Sequence, residues 1–340
     1  MRAPRAHACG AALGFLGDLL LGDPRRGHPV AAFGRAAGAA ERRLWRDRRD
    51  SGAAYTALCV AGAVAAATAL SRAARAADHR TNSTGTVAVG HGPASVALTA
   101  GVTWTVLGGA GLVREARAVG AALEAGELAA ARRRLPHLCG RDPQALDADG
   151  IARAVVESVA ENTSDAVVGA LVWGALAGVP GMAGFRAVNT LDAMVGHRSP
   201  RHLRFGWASA RLDDVAGWPG ARLTAVLAAL AGPDPRGALR AWRTDAHRHP
   251  SPNAGPVEAA FAGALGVRLG GTLSYGGRTE HRPVLNSPGR AVETGDIARA
   301  AHLSRRVGVL ALAVTAAGRL AAGAAYSQYS RVRGRRKGTS

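Results

Sequence analysis

The stretch AAYTALCVAGAVAAATAL, residues 53–70, contains no charged side chain and decides the fold class. It approaches the length of about 20 apolar residues that an α-helix needs to cross about 30 Å of hydrocarbon. Arginines stand at both of its ends, with Arg48 and Arg49 before it and Arg72 after it. An uncharged helix with basic residues at its ends is typical of a membrane-spanning segment.

Three more segments repeat this pattern further along the chain, at 94–113, 166–185 and 307–326. The second half of the segment at 166–185 is interrupted by Gly178 and Pro180. A segment broken in this way either crosses the membrane or re-enters it and lines a cavity. A soluble protein with Ala-rich buried helices is the alternative, but two uncharged runs of this length rarely coexist in a soluble domain.

We therefore predict an all-α fold, a single polytopic helical membrane domain over residues 1–340 with helical and loop-rich segments outside the bilayer. The segments 232–256 and 270–295 are rich in Gly, Pro, Ser and His, so we expect loops there. The basic tail, 331–340, is expected on the cytoplasmic side together with the other arginine-rich segments.

The chain carries a formal net charge of +19, and Lys337 is its single lysine. This excludes a catalytic lysine Schiff base and a Walker-type phosphate loop. Strong basicity admits nucleic acid, anionic lipid or anionic small molecules as partners. The sequence has no recognition helix and no RNA-binding motif, so nucleic acid is not expected. Cys9, Cys59 and Cys139 form no C-x-x-C pair, so neither a disulfide framework nor a zinc site is predicted.

An acidic stripe occurs in ESVAENTSDAVVGAL, where Glu157, Glu161 and Asp165 follow one another at intervals of four. On a helix these carboxylates share one face. Like charges at this spacing repel, which predicts a bound cation or a protonated partner, whereas a solvated helix face is the ordinary alternative. Asn162 beside them can bind an amide or a phosphate oxygen.

Two further acidic motifs follow. AVNTLDAMVGH places Asn189 and Asp192 on one helical face, and ARLDD places Arg211 beside Asp213 and Asp214. Two aspartates near an arginine can bind magnesium while the arginine binds a phosphate. The alternative is that one of the aspartates caps the following helix.

Three shorter motifs add polar side chains. SPNAG delivers Ser251 and Asn253 just ahead of a helix, whose free amides can hold an anion, although a plain N-cap explains the same pattern. His28 lies in GDPRRGHPV, and Arg141 lies in CGRD.

None of these motifs is specific alone, but together they resemble one family. The early GDPRRGHPV, followed along the chain by ENTSD, NTLDAMVGH, ARLDD and SPNAG, resembles the CobD/CbiB cobalamin biosynthesis family, the adenosylcobinamide-phosphate synthases, from residue 13 to residue 310. The chain departs from the family pattern at a few positions that leave every matched carboxylate in place, namely Ala166, Ala170, Ala193, His197 and Gly217.

The resemblance implies a multi-pass protein of the bacterial inner membrane. It implies an ATP- and Mg²⁺-dependent ligase that joins adenosylcobyric acid to (R)-1-amino-2-propanol or its O-phosphate. The implied partners are these substrates, the lipid bilayer and other corrinoid-assembly enzymes. Two other functions stay open. Arg319 within an apolar segment and the break in 166–185 are typical of a corrinoid or anion transporter, and a scaffolding membrane subunit is the third interpretation.

The implied chemistry assigns roles to the matched residues. A carboxylate must be activated, most simply as an acyl phosphate, so the enzyme must hold Mg²⁺, neutralise phosphate and accept a proton from the amine. Metal and base roles are expected for Glu157, Glu161, Asp165, Asp192, Asp213 and Asp214, with Asp213, Asp214 and Glu161 as the magnesium ligands. Substrate or phosphate binding is expected for His28, Arg141, Asn162, Arg186, Asn189, Arg211, Ser251 and Asn253.

One conflict concerns the third apolar segment. A full crossing at 166–185 would place ENTSD and NTLD on opposite sides of the membrane, although ATP is cytoplasmic. We therefore predict that this segment re-enters the membrane or is deeply buried.

Overall fold

The structure is a computed structural model that describes residues 3–24, 27–82, 92–197, 199–275 and 278–337. Within these ranges, only the backbone is described at 81–82, 272–275, 278–280 and 330–337. The side chains of the predicted basic tail, 331–340, and the two arginines of the GDPRRGHPV motif therefore lie outside the described residues.

The described chain is almost entirely helical, so the predicted all-α fold class is confirmed. The helices are α1 Ala3–Leu21, α2 Pro29–Leu44, α3 Arg49–Asn82, α4 Pro93–Val106, α5 Gly109–Glu124, α6 Leu128–Arg134, α7 Ala148–Thr163, α8 Gly169–Leu191, α9 Trp207–Ala231, α10 Pro235–Asp245, α11 Ala254–Leu265 and α12 Gly295–Lys337. Single π-helical turns occur at Ser164–Val168 and Asp192–Gly196, and 3₁₀ turns at Leu135–His137, Pro143–Ala145 and Ala246–Arg248.

Four helical stretches are long and apolar enough to cross a membrane by length and composition, namely Arg49–Arg80, Pro93–Glu124, Ala148–Gly196 and Gly295–Tyr329. Each contains one of the predicted spans. Large apolar side chains such as Leu58 and Leu70 on α3 are more than half exposed. Apolar surface of this kind is expected where a helix faces lipid.

The second predicted span, 94–113, lies within the apolar stretch Pro93–Glu124, but its helix is interrupted. Helix α4 ends at Val106, Leu107 has an extended backbone, and α5 begins at Gly109. The N–H of Gly108 donates instead to the carbonyl oxygen of Ala166, at 3.2 Å. The break arises because a pair of glycines, which are poor helix formers, meets a tertiary hydrogen bond from the neighbouring π-helical turn.

The third apolar segment turns back on itself at Gly178. This residue has φ 68° and ψ −152°, a region that is nearly restricted to glycine. Gly169 lies directly against the ring of Phe185, whereas a straight helix would hold these two residues about 24 Å apart. The arms 169–177 and 179–191 therefore pair as a hairpin, as the re-entrant interpretation requires.

Arg319 of α12 stabilises this reversal. Its guanidinium donates to the carbonyl oxygens of Gly174 and Ala175, which belong to the last turn of the first arm. Carbonyls at a helix end lack partners within the helix, so a basic side chain there satisfies them. The intramembrane arginine thus has a structural role, which removes one of the observations behind the transporter interpretation.

Three helices, α1, α4 and α12, pack beside the hairpin. Gly10 and Gly14 of α1 lie against Thr99 and Thr103 of α4 in the same order, so α1 and α4 are parallel. Helix α12 runs the opposite way, since Gly323, near its end, lies against Pro4. Small residues at these positions permit the close helix approach that membrane helices use in place of a hydrophobic driving force.

The backbone of 331–337 lies at the end of α12 that is remote from the arginine-rich segment at 114–134. Helix α12 starts beside α5, where Ile297 approaches Gly120, and passes Arg319 at the hairpin turn before its backbone reaches 331–337. If α12 crosses the bilayer once, the backbone of 331–337 emerges on the face opposite to 114–134, unlike the expectation from charge, which does not fix the number of crossings between two basic segments.

The loop predicted at 232–256 is wrong over much of its length. It contains α10, Pro235–Asp245, followed by a 3₁₀ turn. Asp234 caps α10 by accepting the N–H of Gly237 at 2.8 Å, and Pro235 occupies the first helical position. An Asp-Pro pair is a helix-start signal, so the sequence at 234–235 does indicate this helix.

The loop predicted at 270–295 instead contains an antiparallel hairpin. Strands β1, Leu269–Tyr275, and β2, Arg278–Leu285, pair from Leu269↔Leu285 to Tyr275↔Arg278. Gly270 and Gly271 have positive φ values of 82° and 86° and form a bulge near the start of β1. The glycines that indicated a loop therefore form a β-bulge within a strand.

Helix α11 lies at the centre of the part of the chain that follows the Gly178 hairpin, and all of its residues are buried. It packs against α7, α9 and α10. Gly263 of α11 and Gly237 of α10 are in backbone contact, which only residues without a side chain allow. This close packing fixes the SPNAG loop, which ends at the start of α11, against α9.

Candidate functional site

The reversal at Gly178 brings two π-helical turns to the same end of the molecule. The turn Ser164–Val168 precedes the hairpin and carries Asp165, and the turn Asp192–Gly196 follows it and begins with Asp192. Single π-helical turns are rare and occur frequently at functional sites. The ENTSD and NTLD motifs therefore meet at the open end of the hairpin.

A cavity of about 700 Å³, here called the acidic cavity, lies where these turns meet α9 and the SPNAG loop. Five of the six predicted carboxylates line it: Glu161, Asp165, Asp192, Asp213 and Asp214. Its other polar lining residues are Arg49, His197, His202, Arg211, His249, Ser251, Asn253 and Arg282. Residues from six parts of the chain thus surround one concentration of negative charge.

Asp213 is one of the two carboxylates that α9 contributes to the acidic cavity. Burial, and after it the charge of Asp192, raises the pKa of Asp213 to about 7, while a hydrogen bond from Asn189 acts in the opposite direction. Its Oδ1 atom is buried without a hydrogen-bond partner among the described residues. A buried carboxylate oxygen without a hydrogen-bond partner is suited to bind a cation or a proton.

Asp214 and Asn253 connect α9 to the SPNAG loop. Arg211 donates to the Asp214 carboxylate at 3.2 Å, and the Asn253 amide donates to the Asp214 carbonyl oxygen at 2.9 Å. Gly217 lies against the Asn253 amide, where a Cβ would come within 2.6 Å of Nδ2. Glycine at this position, one of the departures from the family pattern, leaves room for that bridge.

Ser251 acts as a helix cap. Its hydroxyl accepts the N–H groups of Asn253 and Ala254, at 3.3 and 3.1 Å, at the start of α11. Both Ser251 and Asn253 also line the acidic cavity. Ser251 therefore caps α11 and lines the acidic cavity at the same time.

Glu157 and Arg141 do not line the acidic cavity. They form an ion pair with each other, and Glu157 also accepts the N–H of Gly270 in the β1 bulge at 2.7 Å. The two side chains are about 5% and 4% exposed. This geometry gives the pair the structural role of attaching the β-hairpin to α7.

Glu258, His249 and Arg282 were not among the predicted site residues. Glu258 is 4% exposed, and its Oε1 lies 3.8 Å from His249 Nε2. Burial, and after it the charge of Glu161, raises the pKa of Glu258 to about 8. A lone carboxylate within the apolar helix GPVEAAFAGAL was a usable signal for Glu258, whereas Arg282 belongs to a strand that was not predicted.

A second cavity of about 680 Å³, here called the basic cavity, lies on the other side of the ENTSD turn. Three predicted binding residues, His28, Asn162 and Arg186, line this cavity rather than the acidic one. Its other polar lining residues are Asp23, Arg114, Glu115, His137 and Thr190. The predicted site is therefore divided between two cavities.

Asn189 lies between the two cavities. Its side-chain oxygen accepts a weak hydrogen bond from Arg186 Nη1 at 3.4 Å, and its amide is close enough to Asp213 to lower the pKa of that carboxyl. One side chain thus contacts a cation of the basic cavity and lies near a carboxylate of the acidic cavity.

The donor set of the acidic cavity fits a magnesium ion that arrives with a phosphate ligand. Over the described part of the chain, no group of three or more His, Cys, Asp or Glu side chains is arranged to hold a metal alone. Magnesium commonly keeps several waters and binds through one or two carboxylates together with substrate phosphates. The unpartnered Oδ1 of Asp213 supplies such a ligand position beside Asp214 and Glu161.

Comparison with known proteins agrees with the motifs. The sequence profile of the family described as CobD/Cbib protein matches residues 11–304. A "Cobalamin biosynthesis protein CobD" of Mycobacterium tuberculosis is 50% identical over 316 residues, covering 91% of this chain and 96% of the relative. The protein of the same name from Chromobacterium violaceum is 41% identical over 299 residues, covering 85% and 89%. None of the solved structures matches the chain.

Proposed function

This chain belongs to the CobD/CbiB family of cobalamin biosynthesis, and from that premise we propose that it is an ATP-dependent acid–amine ligase. It joins the propionate carboxylate of adenosylcobyric acid to (R)-1-amino-2-propanol or its O-phosphate. The observation that carries the proposal is the acidic cavity, where Asp165, Asp192 and Asp213 converge from two π-helical turns and α9.

The first requirement of this reaction is activation of the corrinoid carboxylate. A phosphoryl group from ATP is transferred to it, so that a phosphate becomes the leaving group in place of an oxide. Magnesium bound with ATP would neutralise charge on the phosphates, and Asp213, Asp214 and Glu161 are its proposed ligands. Arg211, at the mouth of the cavity beside Asp214, is placed to contact a phosphate oxygen.

The second requirement is an amine that can attack the activated acyl group. The amine enters as an ammonium ion, which the carboxylates of the acidic cavity attract. It becomes nucleophilic only after it loses a proton, and Asp165 and Asp192 are the proposed acceptors because they line the same cavity on opposite π-helical turns. Attack at the acyl carbon then forms the amide and releases phosphate.

We also propose that the protein is a multi-pass protein of the bacterial inner membrane with the acidic cavity on the cytoplasmic side. The support is charge: Arg48, Arg49 and Arg204 lie at the cavity end of the molecule, and Arg211 is exposed at the mouth. Basic residues of this kind concentrate in cytoplasmic segments. ATP is available on that side.

Product formation by the purified, detergent-solubilised protein tests the function. The protein is given adenosylcobyric acid and Mg-ATP with either aminopropanol or its phosphate, and the corrinoid is analysed by mass spectrometry. A product heavier by the amine minus water, dependent on ATP, is expected with one or both amines. If folded protein gives no product with either amine, the ligase proposal fails.

A further inference from the structure

We infer that the basic cavity is a binding site for a phosphate monoester, separate from the acidic cavity, with Arg186 and Arg114 as its phosphate-binding cations. The inference deepens the proposed function and rests on it where it names the substrate, the O-phosphate of the amino alcohol. The binding site itself is argued from the cavity alone.

The first argument is the charge that remains unneutralised in the basic cavity. Glu115 is already paired, since it accepts from Arg134 at 2.8 Å and lies 3.3 Å from His137. Asp23 is the other lining carboxylate, and it faces His28 at 4.0 Å. Arg114 and Arg186 bring two positive charges to the cavity, and Asp23, whose charge also acts on Arg186, brings one negative charge. With Glu115 paired, a net positive charge remains in the lining, so an anionic ligand is favoured there.

The second argument is the state of Arg186. Its Nε atom is buried without a hydrogen-bond partner among the residues that the structure describes, and its Nη1 makes only the 3.4 Å contact with Asn189. A buried donor without an acceptor is destabilising unless a ligand supplies one. The planar guanidinium presents paired N–H groups, which match two oxygens of a phosphate.

The third argument concerns what else the ligand must carry. Asn162 uses its side-chain amide to donate to Ser158, with the carbonyl oxygen at 2.9 Å and the hydroxyl at 3.2 Å. Asn162 therefore offers a ligand its side-chain oxygen, which is an acceptor. With Asp23 in the same cavity, the lining suits a molecule with an anionic end and an ammonium or hydroxyl donor.

The fourth argument is the relation to the acidic cavity. The turn that carries Glu161 toward the acidic cavity carries Asn162 and Ala166 toward the basic one. Asn189 contacts Arg186 on one side and lies near Asp213 on the other. A phosphate bound at Arg186 thus lies next to the acidic cavity without entering it. The phosphate of ATP and the phosphate of the amine substrate are therefore kept apart.

Direct binding tests the site without catalysis. Inorganic phosphate, and then aminopropanol O-phosphate, are titrated by calorimetry into the full chain in detergent. We expect Arg186→Gln and Arg114→Gln each to weaken binding by about 10-fold or more. The matched control is Arg117→Gln, one turn further along α5 on an exposed position outside the basic cavity, and it should bind as the wild type does. Arg186→Lys, which keeps the charge, covers the case in which Arg186→Gln fails to fold.

Kinetics supply the second measurement. Arg114→Gln should raise KM for the phosphorylated amine by about 10-fold and leave KM for free aminopropanol and for ATP unchanged. A wild type that binds no phosphate, equal binding in wild type and both glutamine variants, or an equal rise in KM for both amines would overturn the inference. If phosphate binding depends on Arg186 but the protein makes no amide, the site stands and the proposed ligase function fails, so the two failures are distinguishable.

Discussion

Arg141 and Glu157 form an ion pair with both side chains about 95% withdrawn from water, and the β-hairpin is attached to that pair through the N–H of Gly270. A buried pair of charges is stable only while both partners remain, because removing one leaves the other desolvated and uncompensated. Arg141 and Glu157 therefore have a structural role that the carboxylates of the acidic cavity do not share.

Replacing Glu157 by Gln should therefore act on folding rather than on chemistry. We expect a loss of stability of about 3–5 kcal/mol, since Arg141 would stay buried without its counter-ion. The measurement is the apparent melting temperature in detergent. Arg141→Met combined with Glu157→Leu should recover most of the loss. A single variant that melts with the wild type but makes no product would instead place Glu157 in catalysis.

Asp213→Asn and Asp214→Asn should each abolish ligation while leaving expression and melting temperature close to those of the wild type. The amides keep the side-chain shape but remove the charge proposed to hold magnesium, and a loss of about 100-fold or more in rate is expected. Mass spectrometry of the corrinoid product checks this. Asp149→Asn, an exposed position at the start of α7, is the control, and near-normal activity in both test variants would contradict the assignment.

Gly178→Ala should destabilise the membrane hairpin. A side chain at φ 68° and ψ −152° is strained by about 1–3 kcal/mol. Gly101→Ala is the matched control, because its Cβ would meet nothing within 4 Å and its helix α4 is regular there. Thermal melting of the two variants measures the difference, and equal melting would show that the turn does not depend on glycine.

The stability of the protein should fall as the pH rises from about 4.5 to about 8, and Glu258 should contribute to that fall. Burial raises the pKa of folded Glu258 from 4.5 to about 8. Between these values the native state holds a proton that the unfolded chain has lost, so each rise in pH favours unfolding. Glu258→Gln removes the titrating group.

Melting curves at about pH 5 and about pH 8.5 test this linkage. Relative to the wild type, Glu258→Gln should gain stability at the higher pH. Glu293→Gln, at an exposed carboxylate, should change nothing. If the wild type and Glu258→Gln keep a constant difference over this range, Glu258 titrates normally.

The sequence was informative where local spacing or a single residue decides the structure. Intervals of four placed Glu161 and Asp165 on one helical face, and both line the acidic cavity. Gly178 followed by Pro180 indicated a broken apolar segment, and the chain does reverse there. These features depend only on helix geometry and on the conformations that glycine and proline allow.

Tertiary contacts decided what spacing could not. Glu157 shares the helical face of Glu161, but Arg141 and the β1 bulge withdraw it from the cavity. Glu161 and Asn162 are adjacent in sequence yet line different cavities, because consecutive helical residues differ in direction by about 100°. Arg282 was missed because its strand pairs only within a hairpin whose glycines resemble those of a loop.

The hairpin at Gly178 also sets the parity of the membrane crossings. If α3, α4 and α12 each cross once together with α1, which lies parallel to α4, and α8 only enters and returns, the count is even. The start of α1 and the end of α12 then emerge on one face of the bilayer, and both cavities open on the other. A reporter joined at the start of α1 or at the end of α12 would therefore signal the compartment opposite to the one into which the two cavities open.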